Sequence, residues 1–114
     1  MTDPGTAPAR IMHIASRSEW AAARAAGTYR AESLAVEGFI HFSSWAQLAA
    51  TAERYYAGVP DLVVLVVDPE GLDVRVEHSP STGESFPHLY SPLPASAVLD
   101  LLPLDEALER AAAG

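Results

Sequence analysis

The run Asp61-Leu62-Val63-Val64-Leu65-Val66-Val67-Asp68 constrains the fold of this chain more than any other stretch. Its aliphatic residues do not alternate with polar ones, so a strand built from them is apolar on both faces and has to be covered on both. The run is six residues, Leu62 to Val67, against the roughly 20 that a membrane-spanning helix needs. It is therefore expected to be a central strand. The 114 residues around it are enough for one domain, which at this size buries roughly two-thirds of its unfolded surface.

Other elements follow from local signals. Ile11 to Ala15 reads as a short strand with Ile11 and His13 on one face and Met12 and Ile14 on the other. Ser16 followed by Glu19 is a capping-box pattern; Trp20, Ala23 and Ala26 then fall at helical spacing, and Gly27 is the expected left-handed stop. After a loop holding Tyr29 and Arg30, Gly38 to Ser43 reads as a strand with Phe39, His41 and Ser43 on one side and Ile40 and Phe42 on the other. Ser44 and Gln47 form a second capping box, and the helix they open runs through Leu48, Ala52 and Tyr55 to a stop near Gly58-Val59-Pro60.

Asp73 to Glu77 alternates, with Val74 and Val76 inward and Asp73, Arg75 and Glu77 outward. Beyond the turn-rich segment His78 to Ser85, Phe86-Pro87-His88-Leu89-Tyr90 reads as an edge strand, because a proline cannot donate to a ladder. Ala97 to Leu102 is a last strand, and Asp105 caps a helix from Glu106 to Ala113. Helices early and strands late favour α+β over a doubly wound sheet. Residues 1–9, polar and rich in Pro and Gly, read as a disordered leader unlike a signal peptide, and residues 10–114 as a single domain.

Composition excludes several chemistries. No cysteine is present, which removes disulfides, thiolate metal sites and thiol nucleophiles. All seven basic residues are arginines, so Schiff-base catalysis and a Walker-type phosphate loop lack their lysine. With a formal charge of −8 there is no basic footprint for non-specific nucleic-acid binding, although a small anion can still be held locally by a few arginines. A soluble, cytoplasmic protein with no membrane segment is the expectation.

Chemistry then falls to His13, His41, His78 and His88. His13 and His41 each sit near the end of a strand that runs into a capped helix, so both rings can converge on a pocket floored by two helix N-termini, a setting that favours anions. The plainer alternative is that each histidine fills a strand position and bonds a backbone carbonyl. No HxH or HxxxH spacing occurs, so no metal is expected. Arg75 and Glu77 are either an exposed ion pair or groups beside the histidines. Tyr29, Phe86 and Tyr90 are either a stacking wall or ordinary half-buried packing. Ser43, left over by the Ser44 cap, is available to the pocket, and no GxSxG elbow supports a serine nucleophile.

The order Ile11-Met12-His13-Ile14, Trp20, Gly27-Thr28-Tyr29, Gly38-Phe39-Ile40-His41-Phe42-Ser43, Gln47, Asp61-Leu62, Glu77 and Phe86-Pro87-His88-Leu89-Tyr90, over about residues 10–104, resembles a small bacterial family known as domain of unknown function 952. Ser91 stands where that family usually has glycine, an uncomfortable substitution if the turn needs a positive φ. The family is similar to the ADP-ribosyltransferase superfamily, which implies a split, bent mixed sheet with two to three helices around a cleft for NAD or an ADP-ribose-like nucleotide. Under that resemblance His13 is similar to the histidine that holds the nicotinamide ribose and His41 to the residue that stacks on nicotinamide. Glu77 is similar to the catalytic glutamate. Cleavage or transfer at the nicotinamide–ribose bond develops oxocarbenium character that a carboxylate stabilises. Arg17 and Arg75 are the candidates for the diphosphate, with Tyr29, Ser43, His88 and Tyr90 as further ligand contacts.

Three functions follow as expectations: an NAD-dependent ADP-ribosyl transferase or glycohydrolase, a non-catalytic nucleotide-binding module, or a two-histidine acid/base enzyme acting on a small phosphoester. A glutathione transferase does not fit in this length. The expected partner is a small nucleotide-like molecule, and the chain is a monomer or a homodimer paired through the edge at Phe86 to Tyr90.

Overall fold

The computed structural model describes residues 9–113, so the expected leader lies outside the described residues except for Ala9. In chain order the elements are β1 (Ile11–Ser16), α1 (Arg17–Ala26), β2 (Thr28–Tyr29), α2 (Glu32–Val36), β3 (Ile40–His41), α3 (Trp45–Tyr56), β4 (Leu62–Val67), β5 (Val74–His78), β6 (Ser85–Leu89), β7 (Leu93–Pro94), a 3₁₀ turn (Ala95–Ala97), β8 (Val98–Pro103) and α4 (Leu104–Ala113). The longest helix has 12 residues, and among the described residues none is long and apolar enough to cross a membrane.

The aliphatic run becomes the middle strand of a sheet ordered β1-β4-β8, and all six of its residues are buried. Alternation along β1 and β4 divides the core in two. Ile11, Ala15, Val63, Leu65 and Val67 face Trp20 and Ala23 of α1, together with Ile40, Phe42 and Leu89 from the sheet described next. Met12, Ile14, Leu62, Val64 and Val66 face Leu48 and Ala52 of α3 and Ala107 of α4. Both faces are thus covered, as a strand without alternation requires; each fully buried Leu or Val side chain contributes about 1.5–3 kcal/mol of transfer free energy.

Both capping boxes form. Ser16 Oγ accepts from the Glu19 amide at 3.1 Å, and Ser44 Oγ accepts from the Gln47 amide at 3.2 Å; the glutamate and glutamine side chains accept in return from the cap amides. Gly27 ends α1 in the left-handed region at φ 86°, its amide bonded to the Ala23 carbonyl.

Several expectations are corrected. Among the described residues every strand pair is antiparallel, and the strands form three sheets (β1-β4-β8, β2-β7 and β3-β6-β5) where a split, bent mixed sheet was expected. Four α-helices are present among the described residues, one more than the upper expectation. The additional one, α2, lies in the expected loop; its N-cap, Ala31, makes no side-chain cap bond and it buries no residue, so neither local signal marks it. Helix α4 begins at Leu104, two residues before the expected start, with Asp105 Oδ1 accepting from the Glu106 amide inside its first turn.

Strand β6 is not an edge. It lies between β3 and β5, so the surface expected to pair across a dimer is already occupied. Pro87 is tolerated because its carbonyl accepts from the Phe42 amide at 3.0 Å, just past the last paired residue of β3. The donor that proline lacks would point to that same side, where the short partner strand ends. Ser91 is not strained either: among the described residues the non-glycine position with positive φ is Asp61, at 55°.

Candidate functional site

The chain between α2 and α3 connects the sheets. Gly38, at φ 91°, closes α2 with its amide on the Leu34 carbonyl and turns the chain into β3. Ile40 and His41 then pair with Leu89 and His88, after which the chain crosses to β1, where the Ser43 amide donates to the Met12 carbonyl (2.7 Å) and the Met12 amide to the Ser43 carbonyl (2.8 Å). This crossing brings the His41 carbonyl within 2.6 Å of His13 Nδ1, while His13 Nε2 lies 2.8 Å from the Tyr29 hydroxyl.

A carbonyl only accepts, so Nδ1 of His13 carries the proton and donates, and Nε2 accepts from Tyr29. Both ring nitrogens are therefore engaged with protein. The ring is 6% exposed, and burial holds its pKa down at about 4, against a partly offsetting effect of the His41 carbonyl. Burial likewise raises that of Tyr29. His13 is a neutral cross-brace joining β1, β2 and β3, which is the plainer of the two sequence expectations.

His41 and His88 are arranged differently. They are directly paired across β3 and β6, their ring centroids 5.3 Å apart with planes at 80°. His41 Nε2 is 2.8 Å from Glu37 Oε2, and His88 Nδ1 is 2.8 Å from Glu77 Oε1. Each carboxylate fixes the proton on the nitrogen facing it, so in the neutral rings His41 Nδ1 and His88 Nε2 carry the lone pairs, with no protein partner among the described residues. Phe39 stacks on His88 at 4.1 Å and 17° and meets His41 edge-on at 4.8 Å. Glu77 Oε1 also accepts from the Tyr90 hydroxyl at 2.5 Å, and this bond, followed by that from His88, lowers the pKa of Glu77. Tyr90 in turn lies under the guanidinium of Arg75, 4.3 Å from its carbon to the ring centre, and Asp73 holds Arg75 through two contacts of 3.2 Å.

The face bearing this row looks into a cleft of about 690 Å³ bounded by β1, β3, α3 and the β5–β6 turn, within the range of small-molecule sites. His13, His41, Ser43 and His88 all line it. Ser43 is not free, because its hydroxyl lies 3.1 Å from that of Thr51. Tyr29 is spent on His13. Glu77, Arg75 and Tyr90 are outside the lining; Arg75 is paired with His88 and Glu77 with Phe86 across β5 and β6, on the side of His88 away from His41. Arg17 is not at the cleft; it is exposed on the first turn of α1, its amide bonded to the Asp61 carbonyl. The expected floor of two helix N-termini is corrected for the same reason. Ser16 lies three residues beyond His13 along an extended strand, about 10 Å away, and its capping box closes that helix end.

Sequence reasoning missed Glu37, Phe39 and Tyr55 as site residues. Phe39 was legible by alternation, since it shares a face with His41. Glu37 was not, because its approach to His41 depends on the turn at Gly38. Among the described residues no group of three or more His, Asp or Glu is arranged to hold a metal.

No curated protein matches the chain. Its fold is similar to that of protein CC0527 from Caulobacter crescentus in two experimental forms. The crystal structure is 35% identical, covering 88% of this chain and 98% of that one at a TM-score of 0.77. The solution structure is 39% identical, covering 82% and 83% at a TM-score of 0.72. The sequence profile of a family described as protein of unknown function DUF952 matches residues 14–101. The chain belongs to the DUF952 family.

Proposed function

We propose that this protein is an enzyme in which His41 and His88 serve proton transfer on a small molecule bound in the cleft, a free ring nitrogen of the pair taking the proton of the attacking water and then handing it to the leaving group. The observation that supports the reading is the pair of imidazoles at 5.3 Å, each held by a carboxylate through one nitrogen and unpartnered on the other. A base oriented by a third group is the arrangement proton-transfer catalysis requires, and it contributes typically 10²–10⁴-fold. In this reading Glu37 and Glu77 set the tautomers, Tyr90 holds Glu77, and His13 acts only by fixing the His41 backbone.

The test is hydrolysis of p-nitrophenyl acetate, a neutral planar ester sensitive to imidazole catalysis. Saturable hydrolysis that falls at least about tenfold in both His41→Asn and His88→Asn is expected. A rate no greater than that of free imidazole at the same concentration, or one indifferent to both substitutions, refutes the reading.

The NAD reading has one observation in its favour, the planar faces of Phe39, Phe86 and Tyr55 along the cleft, which suit a nicotinamide or nucleobase. It is weakened because Arg17 and Arg75 stand outside the cleft and Glu77 is turned to His88 and Tyr90. Nicotinamide release from NAD by the wild type, abolished in Glu77→Gln, is the result that would put it first.

A further inference from the structure

We infer that the cleft selects an uncharged or cationic planar molecule and disfavours anions, phosphate esters included. This rests on the acid/base reading of the same site and names its substrate class. None of the seven arginines lines the cleft, and the chain has no lysine. Arg75, the cross-strand neighbour of His88, stands at the end of the histidine row outside the lining and is held by Asp73. Four imidazoles and one carboxylate, Glu37, are the ionisable lining groups besides the tyrosines.

With neutral imidazoles the formal charge of the cleft is therefore negative, inside a molecule of net charge −8. An anion entering it loses hydration and meets no compensating charge. A cation meets Glu37, whose side chain is 48% exposed, and the aromatic faces of Phe39 and Phe86. Helix α3 offers no substitute for an arginine, because Ser44, Trp45, Ala46 and Gln47, which carry its N-terminal amides, do not line the cleft, and two of those amides are taken by the capping box.

The test uses three ligands of one shape: benzamidinium, benzamide and benzoate, carrying charges +1, 0 and −1. Each is titrated into the full chain at low salt and pH 8, above the ordinary imidazole pKa, and followed by backbone amide shifts. Binding mapped to β3, β6 and α3 is expected, with benzamidinium about tenfold tighter than benzoate and benzamide between them. Glu37→Gln should bring the three within about twofold, as should raised salt. Benzoate binding as tightly as benzamidinium, shifts lying elsewhere, or a preference that survives Glu37→Gln overturns the inference. His88→Asn distinguishes this result from failure of the acid/base reading: it should lose ester hydrolysis and keep the charge order. If hydrolysis fails in the wild type while the charge order holds, the ligand class stands and the catalytic assignment falls.

Discussion

Lowering the pH should weaken the fold through one ring. His13 is 6% exposed and braced by Tyr29 and the His41 carbonyl, and its pKa falls from 6.5 to about 4 on folding. The unfolded chain therefore binds the proton more readily throughout that interval. The contribution is whole above pH 6.5, declines as the pH falls, and is spent near pH 4. Linkage gives a loss of about 2 kcal/mol by pH 5 and about 3 kcal/mol by pH 4, a large part of the roughly 5–15 kcal/mol that holds a domain together. Glu77, whose pKa is lowered by Tyr90 and then His88, contributes stability that is lost only as pH drops below its ordinary value, so it does not disturb the comparison between pH 7.5 and pH 5. The assay is urea unfolding followed by circular dichroism at those two pH values, on the wild type and on His13→Gln, which keeps a donor and an acceptor and does not titrate. The wild type should lose about 2 kcal/mol more than the variant. Equal losses in the two proteins, or a His13 ring that titrates near 6.5 by NMR, would refute the brace.

Two further results follow from the same geometry. Tyr29→Phe leaves His13 Nε2 without its hydroxyl donor, and should cost about 1–3 kcal/mol in urea unfolding at pH 7.5. Gly27→Ala meets no atom within 4 Å but must hold φ 86°, so a loss of about 1 kcal/mol should appear, attributable to backbone strain alone; no loss would mean that the end of α1 relaxes.

Legibility from sequence followed the range of the physics. The double-faced run at β4, the caps at Ser16 and Ser44 and the stop at Gly27 are set by residues within a few positions of one another. The period of a strand likewise put Phe39 with His41, and Arg75 with Glu77, on the faces they occupy, because successive side chains alternate whatever the partner strand. The family resemblance likewise needed only the order of motifs along the chain.

Tertiary structure decided what each imidazole does. Nothing local to His13 says that the Met12–Ser43 bridge will press the His41 carbonyl against its ring, or that Tyr29 will close the other nitrogen. Nothing local to His88 says that Pro87 will sit inside a sheet, beside a strand too short to need its missing donor, and so seat His88 between Phe39 and Glu77. Strand alternation is a property of one segment of backbone. The partner of a ring nitrogen depends on register and crossing between segments distant in the chain, and that pairing is what moved the proposed pair from His13 and His41 to His41 and His88.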